Sequence, residues 1–135
     1  MSPEPAPLIG LVVVSHSRLI AEGTAELAAQ MAGPDVRIAA AGGMADGAIG
    51  TDAALIAEAI GRADAGAGVV VLADLGSAVL ATRTALELLD NPDNVRLSRG
   101  PIVEGAVIAA VQASTGSTLE EVLEAAESAA SLPKG

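Results

Sequence analysis

The sequence has no cysteine, no phenylalanine, no tyrosine and no tryptophan, and it has one lysine and one histidine. Without cysteine the chain can form no disulfide and offers no thiolate nucleophile. With a single histidine in addition, a zinc site of the usual composition is disfavoured. Because the chain has no aromatic rings on which bases could stack, a single-stranded nucleic-acid interface is disfavoured as well.

Positive charge is also scarce. The chain has seventeen acidic and seven basic residues, which gives a formal net charge of −10, and the arginines are scattered along the chain. This charge disfavours binding to nucleic acid or to an anionic membrane surface, and it favours a protein partner with a basic face. No apolar run approaches the ~18 residues of a membrane span, and no basic segment precedes the first apolar run. We therefore expect a cytoplasmic protein.

What the chain does have is small aliphatic residues. At 135 residues, 51% of them hydrophobic, it is long enough for one domain with a substantial core. That core must be built from valine, isoleucine, leucine, alanine and methionine, whose small side chains let helices approach a sheet closely. The composition predicts a layered α/β domain.

Apolar runs alternate with helical patterns along the chain. This alternation predicts parallel strands joined by helical crossovers. The predicted strands cover residues 8–14, 36–41, 68–73 and 95–97, and the predicted helices cover 18–32, 52–63, 78–89, 102–113 and 118–130.

Several local features of these helices can be predicted. In the first helix the larger apolar residues fall near one face, and Thr51 is the predicted N-cap of the second. Ser117 and Glu120 have the spacing of a capping box before the last helix. The helix over 102–113 is apolar on nearly all sides, which predicts burial or an interface. The residues of the first apolar face are Leu19, Ile20, Gly23, Leu27 and Met31, and the inner stripe of the last helix is Leu119, Val122, Leu123 and Ala126.

Polar or glycine-rich loops follow the predicted strands. They cover residues 15–17, 42–50, 74–77 and 99–105. Because ligands of parallel sheets bind outside the carboxyl ends of the strands, we expect these four loops to meet at one rim.

His16 is the best nucleophile that the chain offers, since an imidazole is substantially neutral at pH 7 and carries a free lone pair. A lone histidine is often an incidental surface or core residue. Here, however, it follows a predicted buried strand and precedes a helix, where an anion is favoured. Ser15 or Ser17 could cap that helix, and its free N–H groups could hold phosphoryl oxygens.

Asp74 is the best candidate to orient His16, because it ends the third predicted strand and a nucleophilic histidine needs its second ring nitrogen fixed. Asp74 could instead be a helix cap or a turn residue. Ser77 could cap the third helix or donate to a phosphoryl group. The Gly42-Gly43 pair could bring backbone close to the rim, or could simply be a flexible loop.

Other phosphate and metal sites are not supported. The sequence has no G-x-G-x-x-G pattern and no Walker lysine, and its acids lie mostly on predicted helix faces. A phospho-accepting receiver domain would need an acidic pair after the first strand, where this chain has Ser15 and His16.

Four motifs follow one another along the chain. They are Val13-Val14-Ser15-His16-Ser17, Ala41-Gly42-Gly43 with Asp46-Gly47 and Ile49-Gly50-Thr51, Asp74-Leu75-Gly76-Ser77-Ala78, and Pro101-Ile102-Val103-Glu104-Gly105-Ala106. Together they resemble the phosphotransferase subunit of the phosphoenolpyruvate-dependent dihydroxyacetone kinase (the DhaM family), whose fold is that of the mannose-type IIA domain of the bacterial sugar phosphotransferase system (PTS). The resemblance covers residues 8–130 and leaves short tails at 1–7 and 131–135, which we expect to be loose.

The resemblance implies a three-layer α/β/α sandwich with a mainly parallel four-stranded sheet, assembled as a homodimer. It implies that His16 accepts phosphate from the phosphocarrier protein HPr and passes it to ADP bound in the kinase's ADP-binding subunit. Asp74 would support the histidine, and no cofactor beyond the covalent phosphohistidine is implied. Residues expected to support the phosphoryl group are Ser15, Ser17, Gly42, Gly43, Gly76 and Ser77.

The sequence departs from the family at two places and leaves two alternatives open. Met44 stands where a threonine is expected, and Thr82-Arg83 replaces a more polar or acidic stretch. The chain could instead be a sugar-transport IIA domain that delivers phosphate to a IIB domain. It could also be a non-catalytic interaction module.

Overall fold

The structure is a computed structural model that describes residues 6–134, so most of the predicted amino-terminal tail and Gly135 lie outside the described residues. The strands are β1 (Gly10–Ser15), β2 (Ile38–Gly42), β3 (Val69–Ala73) and β4 (Val95–Ser98). The helices are α1 (Arg18–Ala32), α2 (Ala53–Ala63), α3 (Gly76–Glu87), α4 (Ile102–Ser114) and α5 (Leu119–Ser128). Short 3-10 helices cover Pro92–Asn94 and Ala129–Ser131.

The four strands form one parallel sheet in the order β2-β1-β3-β4. Parallel strands need crossovers long enough for a helix, and each crossover here contains one. The central strand β1 is fully buried along its length, which explains its continuous apolar sequence rather than an alternating one.

Successive residues of β1 supply the two halves of the core. Leu11 and Val13 pack with residues of α1, α4 and α5, whereas Val12 and Val14 pack with residues of α2 and α3. Because side chains alternate across a strand, this division places three helices on one face of the sheet and two on the other. The predicted α/β fold with a parallel four-stranded sheet is therefore confirmed, and the helices form its two outer layers.

The structure corrects two predicted helix caps by one residue each. The second helix is capped by Asp52 and not by Thr51, because the Asp52 carboxylate accepts hydrogen bonds from the backbone of Ala54 and Leu55. The capping box of α5 joins Thr118 and Glu121 rather than Ser117 and Glu120. The third helix begins at Gly76, two residues earlier than predicted.

The predicted apolar face of α1 is not the face that it buries. The helix instead packs through small residues, Ala21, Thr24, Ala25 and Ala28. Small side chains let α1 lie close to the sheet and to α4, and this close approach outweighs the burial of larger side chains on the neighbouring face. The large apolar residues are left exposed, with Leu19 at 73%, Ile20 at 50%, Leu27 at 46% and Met31 at 60% exposure.

The last two helices agree better with the sequence. Val122 and Ala126 of α5 are buried, and Leu119 and Leu123 pack against the same core cluster. In α4 the alanines are buried, while Val103 is 39% exposed. Beyond the 3-10 helix that ends at Ser131, the ammonium of Lys134 lies 2.8 Å from a carboxylate oxygen of Glu104 in α4. No helix of residues 6–134 is long and apolar enough to cross a membrane.

Candidate phosphoryl-accepting site

His16 lies between the carboxyl end of β1 and the start of α1. The parallel register aligns three strand ends there, because Ser15 of β1 pairs with Gly42 of β2, and Val14 pairs with Ala73 of β3. Asp74 follows Ala73 directly, so the alignment brings it beside His16. The strand ends therefore meet at one rim as predicted for the first three loops.

The carboxylate of Asp74 contacts both the ring and the backbone of His16. Its Oδ1 lies 2.9 Å from His16 Nδ1, and its Oδ2 accepts a hydrogen bond of 3.0 Å from the backbone N–H of His16. Ser15 Oγ donates to Oδ2 at 2.8 Å, and the backbone N–H of Leu75 donates to Oδ1 at 2.8 Å. Asp74 is thus not the N-cap of α3, a position that Leu75 occupies without a side-chain bond.

These contacts set the charge of Asp74. Partial burial raises its pKa, but hydrogen bonds from the backbone of His16, from Ser15 and from the ring of His16, together with the charge of that ring, lower it further than burial raises it. The net effect is a lowered pKa, so Asp74 is an anion at neutral pH. An anionic carboxylate only accepts hydrogen bonds, and the neutral ring that fits it carries its proton on Nδ1.

The other ring nitrogen of His16 points to Ser77. Ser77 is exposed in the first turn of α3, and its Oγ lies 2.5 Å from His16 Nε2. With the proton of the ring on Nδ1, Nε2 has a lone pair and the hydroxyl of Ser77 donates to it. The side chain of His16 keeps 21% of its surface exposed, so this edge of the ring is open to solvent.

The two serines beside His16 have different positions. Ser15 has no exposed surface, and its Oγ accepts a hydrogen bond from the backbone N–H of Ser17 in addition to the bond that it donates to Asp74. Of the two serines that could cap α1, Ser17 is the cap, since its Oγ accepts from the backbone N–H of Ile20 at 3.4 Å.

The glycine-rich loop supports the backbone of this site. The N–H of Gly43 donates to the carbonyl of Ser15, and the N–H of Gly50 donates to the carbonyl of His16 at 2.9 Å. A Cβ at Gly42 would lie 2.6 Å from the Ser17 carbonyl oxygen, so only glycine allows this approach to α1. The loop thus holds the turn that carries His16.

The fourth predicted loop, residues 99–105, also starts at the carboxyl edge of the sheet, because Ser98 of β4 pairs with Leu72 of β3, and its backbone is held by α5. The backbone N–H of Arg99 donates to Glu127, and a Cβ at Gly100 would lie 2.1 Å from the carbonyl oxygen of Ala126. Thr82, one of the departures from the family pattern, is fully buried and donates its hydroxyl hydrogen bond to the carbonyl of Ala78.

One group of residues near the site was missed from the sequence. Large apolar side chains are exposed on the elements that surround His16, and we call them the apolar collar. They lie in the glycine-rich loop and in the first two turns of α1 and α3 or directly before α3, at positions that the core does not use, and this was the available signal. The collar consists of Leu19, Met44, Ile49, Leu75 and Leu80, each 39% to 76% exposed.

The site has no acidic cluster suited to a metal ion. Among residues 6–134, no group of three or more histidine, cysteine, aspartate or glutamate side chains could hold one. The arrangement is instead suited to nucleophilic attack by Nε2, with Asp74 opposite to stabilise positive charge on the ring.

Comparisons with solved structures agree with this fold. A crystal structure of a protein of unknown function superposes with a TM-score of 0.77 at 34% identity, covering 89% of this chain and 93% of that one. A structure of a sigma-54 interaction domain protein from Enterococcus faecalis is 16% identical with a TM-score of 0.67, and it shows the likeness of fold alone.

Comparisons of sequence identify the family. The profile of the EIIA-man family, described as the PTS system fructose IIA component, matches residues 10–123. A Listeria innocua protein named as the phosphoryl donor subunit DhaM of PEP-dependent dihydroxyacetone kinase 2 is 40% identical over 87% of this chain and 95% of its own length. A Providencia stuartii DhaM is 43% identical over 90% of this chain, which spans only 27% of that relative. The chain therefore belongs to the EIIA-man family and, within it, to the DhaM proteins.

Proposed function

We propose that the chain is a phosphoryl carrier, in which His16 accepts a phosphoryl group from HPr and passes it to ADP held in the ADP-binding subunit of dihydroxyacetone kinase. The observation that carries the proposal is the geometry of the ring: Asp74 holds Nδ1 at 2.9 Å and leaves Nε2 at the surface. The relatives named phosphoryl donor subunits of such kinases support the choice of acceptor.

The first transfer is an attack by the Nε2 lone pair of His16 on the phosphorus of the donor. The Nε2–P bond forms as the bond between phosphorus and the donor breaks, and the electron pair of the broken bond stays with the donor. The ring of His16 keeps its proton on Nδ1 and gains positive charge, which the carboxylate of Asp74 stabilises. No permanently bound cofactor takes part.

In the second transfer the Nε2–P bond, which formed in the first, is the bond that breaks. An oxygen of the β-phosphate of ADP attacks the phosphorus, the Nε2–P bond breaks, and its electron pair returns to Nε2. The ADP becomes ATP in the partner subunit, and His16 is restored. Both transfers depend on positioning and on stabilisation of charge.

The start of α3 supports the phosphoryl oxygens in this proposal. The first N–H groups of a helix have no partner within the helix and favour an anion. The N–H groups of Gly76 and Ser77 are the first two of α3, and the hydroxyl of Ser77 already lies at Nε2. When Nε2 is phosphorylated, that hydroxyl turns from the nitrogen to a phosphoryl oxygen.

The test is to incubate the protein with phosphoenolpyruvate, enzyme I and HPr and to map the phosphate. We expect one acid-labile phosphate on His16 and none on a folded His16→Gln variant. An unmodified His16 under conditions that phosphorylate HPr would disprove the proposal. The phosphorylated protein is then mixed with an ADP-loaded kinase subunit or with a IIB domain. Transfer to IIB alone would reassign the chain to sugar transport.

The apolar collar is the surface on which we place the donor and acceptor. Exposed apolar side chains such as Leu75, which follows Asp74 directly, lie on the elements that carry the site, while the chain as a whole carries a charge of −10. A partner with an apolar centre and a basic rim complements both features. We expect Leu75→Ser to slow loading from HPr about tenfold, an order expected for one buried leucine at an interface. Leu88→Ser is the matched control, because Leu88 is similarly exposed (60% against 63%) at the far end of α3.

A homodimer is a further part of the proposal, and the exposed apolar residues between α1 and α4 support it. The β2 side of α1 carries Glu26 and Gln30, which line a groove with Ile38, so Leu27 and Met31 lie towards α4. The side of α4 that faces α5 carries Ile108 and Gln112. Val103 and Val111 of α4 are 39% and 40% exposed, and Val103 lines a groove together with Leu132 of the carboxyl-terminal segment.

This surface between α1 and α4 fits a second copy better than a basic partner. Because two chains of charge −10 repel each other, contact between them is favoured where the surface carries little charge. Glu104, at the edge of the surface between α1 and α4, is neutralised by Lys134. We expect wild-type protein to sediment as a dimer and Leu27→Glu to sediment as a monomer, with Leu88→Glu as the control. A monomeric wild-type protein would contradict this assignment. The proposal places the chain in the cytoplasm, where phosphoenolpyruvate and ADP are available.

A further inference from the structure

Ser15 is the last residue of β1 and has no exposed surface. The one proton that its hydroxyl can donate is already used. It donates a hydrogen bond of 2.8 Å to Oδ2 of Asp74 and accepts one of 3.0 Å from the backbone N–H of Ser17. A hydroxyl that is buried and so engaged cannot contact a phosphoryl group on Nε2, although its position beside His16 suggested such a role.

The bond from Ser15 determines how Asp74 is oriented. Oδ2 accepts two hydrogen bonds, from Ser15 Oγ and from the backbone N–H of His16. A carboxylate oxygen that is held at two points cannot rotate freely, and therefore Oδ1 stays 2.9 Å from Nδ1 of His16. The second bond of the hydroxyl, from the N–H of Ser17, connects this arrangement to the residue that caps α1.

We propose that Ser15 is a positioning residue: its hydroxyl fixes the carboxylate of Asp74 and thereby selects the ring form of His16 that has its lone pair on Nε2. The proposal rests on the function assigned to His16 and deepens it. Ser15 acts through Asp74 and touches no reacting atom.

The chain provides a matched control in Ser98. This serine ends β4, is 5% exposed, and accepts a hydrogen bond from the backbone N–H of Gly100 two residues later. Ser15 makes the same local turn with Ser17, but only Ser15 also donates to a carboxylate. Replacing each serine by alanine removes a buried strand-end hydroxyl in both variants and the bond to Asp74 in one.

The experiment compares full-length Ser15→Ala, Ser98→Ala and Ser15→Thr with wild type. In the unphosphorylated protein, carbon NMR follows the titration of the Asp74 carboxyl, and nitrogen NMR follows the proton on the ring of His16. We expect Ser15→Ala to raise the pKa of Asp74, to lower the fraction of ring with its proton on Nδ1, and to slow loading from HPr about tenfold. We expect Ser98→Ala to change none of these, even where it lowers the melting temperature equally, and Ser15→Thr to restore them.

Two results would overturn the inference. One is a folded Ser15→Ala variant with the titration of Asp74 and the ring proton of His16 unchanged. The other is an equal change of both signals in Ser98→Ala. The NMR measurements need no phosphoryl transfer, so a wild-type protein that HPr fails to load would count against the proposed function and not against the role of Ser15.

Discussion

Asp74 holds His16 by two hydrogen bonds that come from opposite parts of the same residue. One joins Oδ1 to the ring at Nδ1, and the other joins Oδ2 to the backbone N–H of His16. Because both bonds end on one rigid carboxylate, the ring is fixed relative to its own backbone. The nucleophilic nitrogen is thus held in place before any partner binds, which lowers the cost of reaching the reactive geometry.

Asp74→Asn tests this relationship. The Asp74 carboxylate accepts from four donors, two on each oxygen, whereas an asparagine amide has only one oxygen. Its NH2 group must therefore face either the backbone N–H of His16 and the hydroxyl of Ser15, or the ring of His16. Losing a charge-assisted hydrogen bond costs up to about 3 kcal/mol, which corresponds to roughly a hundredfold slower loading of His16. The rate of phosphate incorporation from HPr measures the effect.

Asp64→Asn is the control for that variant. The carboxylate of Asp64 also accepts two hydrogen bonds, from the backbone of Gly66 and from the side chain of Asn94, but it lies at the end of α2 away from His16. We expect it to lower stability without changing the loading rate per folded molecule. An equal loss of rate in both variants would show that Asp74 acts through stability alone.

The stability of the protein should depend on the charge of Asp74 at low pH. Because the folded state lowers the pKa of Asp74, the folded protein binds this proton less readily than the unfolded chain does. The carboxylate therefore contributes stability above its ordinary pKa of about 4, and that contribution disappears as the pH falls through the lower pKa of the folded state. The difference in unfolding free energy between wild type and Asp74→Asn, measured by denaturant unfolding, should be largest at neutral pH and should shrink as the pH falls below about 4. A difference that does not change with pH, or one that is already lost well above pH 4, would contradict the lowered pKa.

The sequence predicted the layers of the fold because β1 and β3 are short apolar runs between helical patterns, and few folds other than a layered α/β domain accommodate that pattern. It predicted the wrong face of α1, because large apolar residues outweigh small ones in any count of periodicity. Packing reversed that preference: Ala21 and Ala28 allow a close approach to the sheet, and Leu27 is left outside. Only the positions of the neighbouring helices decide between the two faces.

The contact between His16 and Asp74 followed from the order of the strands. Both residues follow strands of a parallel sheet, so the sequence predicted a shared rim. Direct contact also requires β1 and β3 to be neighbours, and the structure provides that order. The function of Ser15 could not be predicted, because the sequence does not show whether a strand-end hydroxyl points into the sheet or towards the rim. The one-residue shift from Ser117 to Thr118 in the capping box has a similar origin, since either residue can cap a helix.

The position of the phosphate on His16 is a separate prediction. Asp74 occupies Nδ1 and Ser77 contacts Nε2, which is the nitrogen with the lone pair. We expect phosphorylation at Nε2, observed as a coupling between phosphorus and that nitrogen in NMR of protein labelled with nitrogen-15. Ser77→Ala should leave the position unchanged while slowing transfer. A phosphate on Nδ1 would mean that Asp74 releases the ring during the reaction.

Gly42 provides a test of how the loop supports the site. A Cβ there would lie 2.6 Å from the carbonyl oxygen of Ser17 and 2.8 Å from the Cα of Arg18, so Gly42→Ala must displace the start of α1. We expect a loss of about 1–3 kcal/mol in the free energy of unfolding, as for overpacking of a core, and slower loading of His16. Gly23→Ala, within α1 itself, is the control, because a Cβ added at Gly23 would meet nothing within 4 Å outside its own helix backbone. That variant should gain about 0.5–1 kcal/mol and load normally. If Gly42→Ala were as stable and as active as Gly23→Ala, the loop would not be what positions His16.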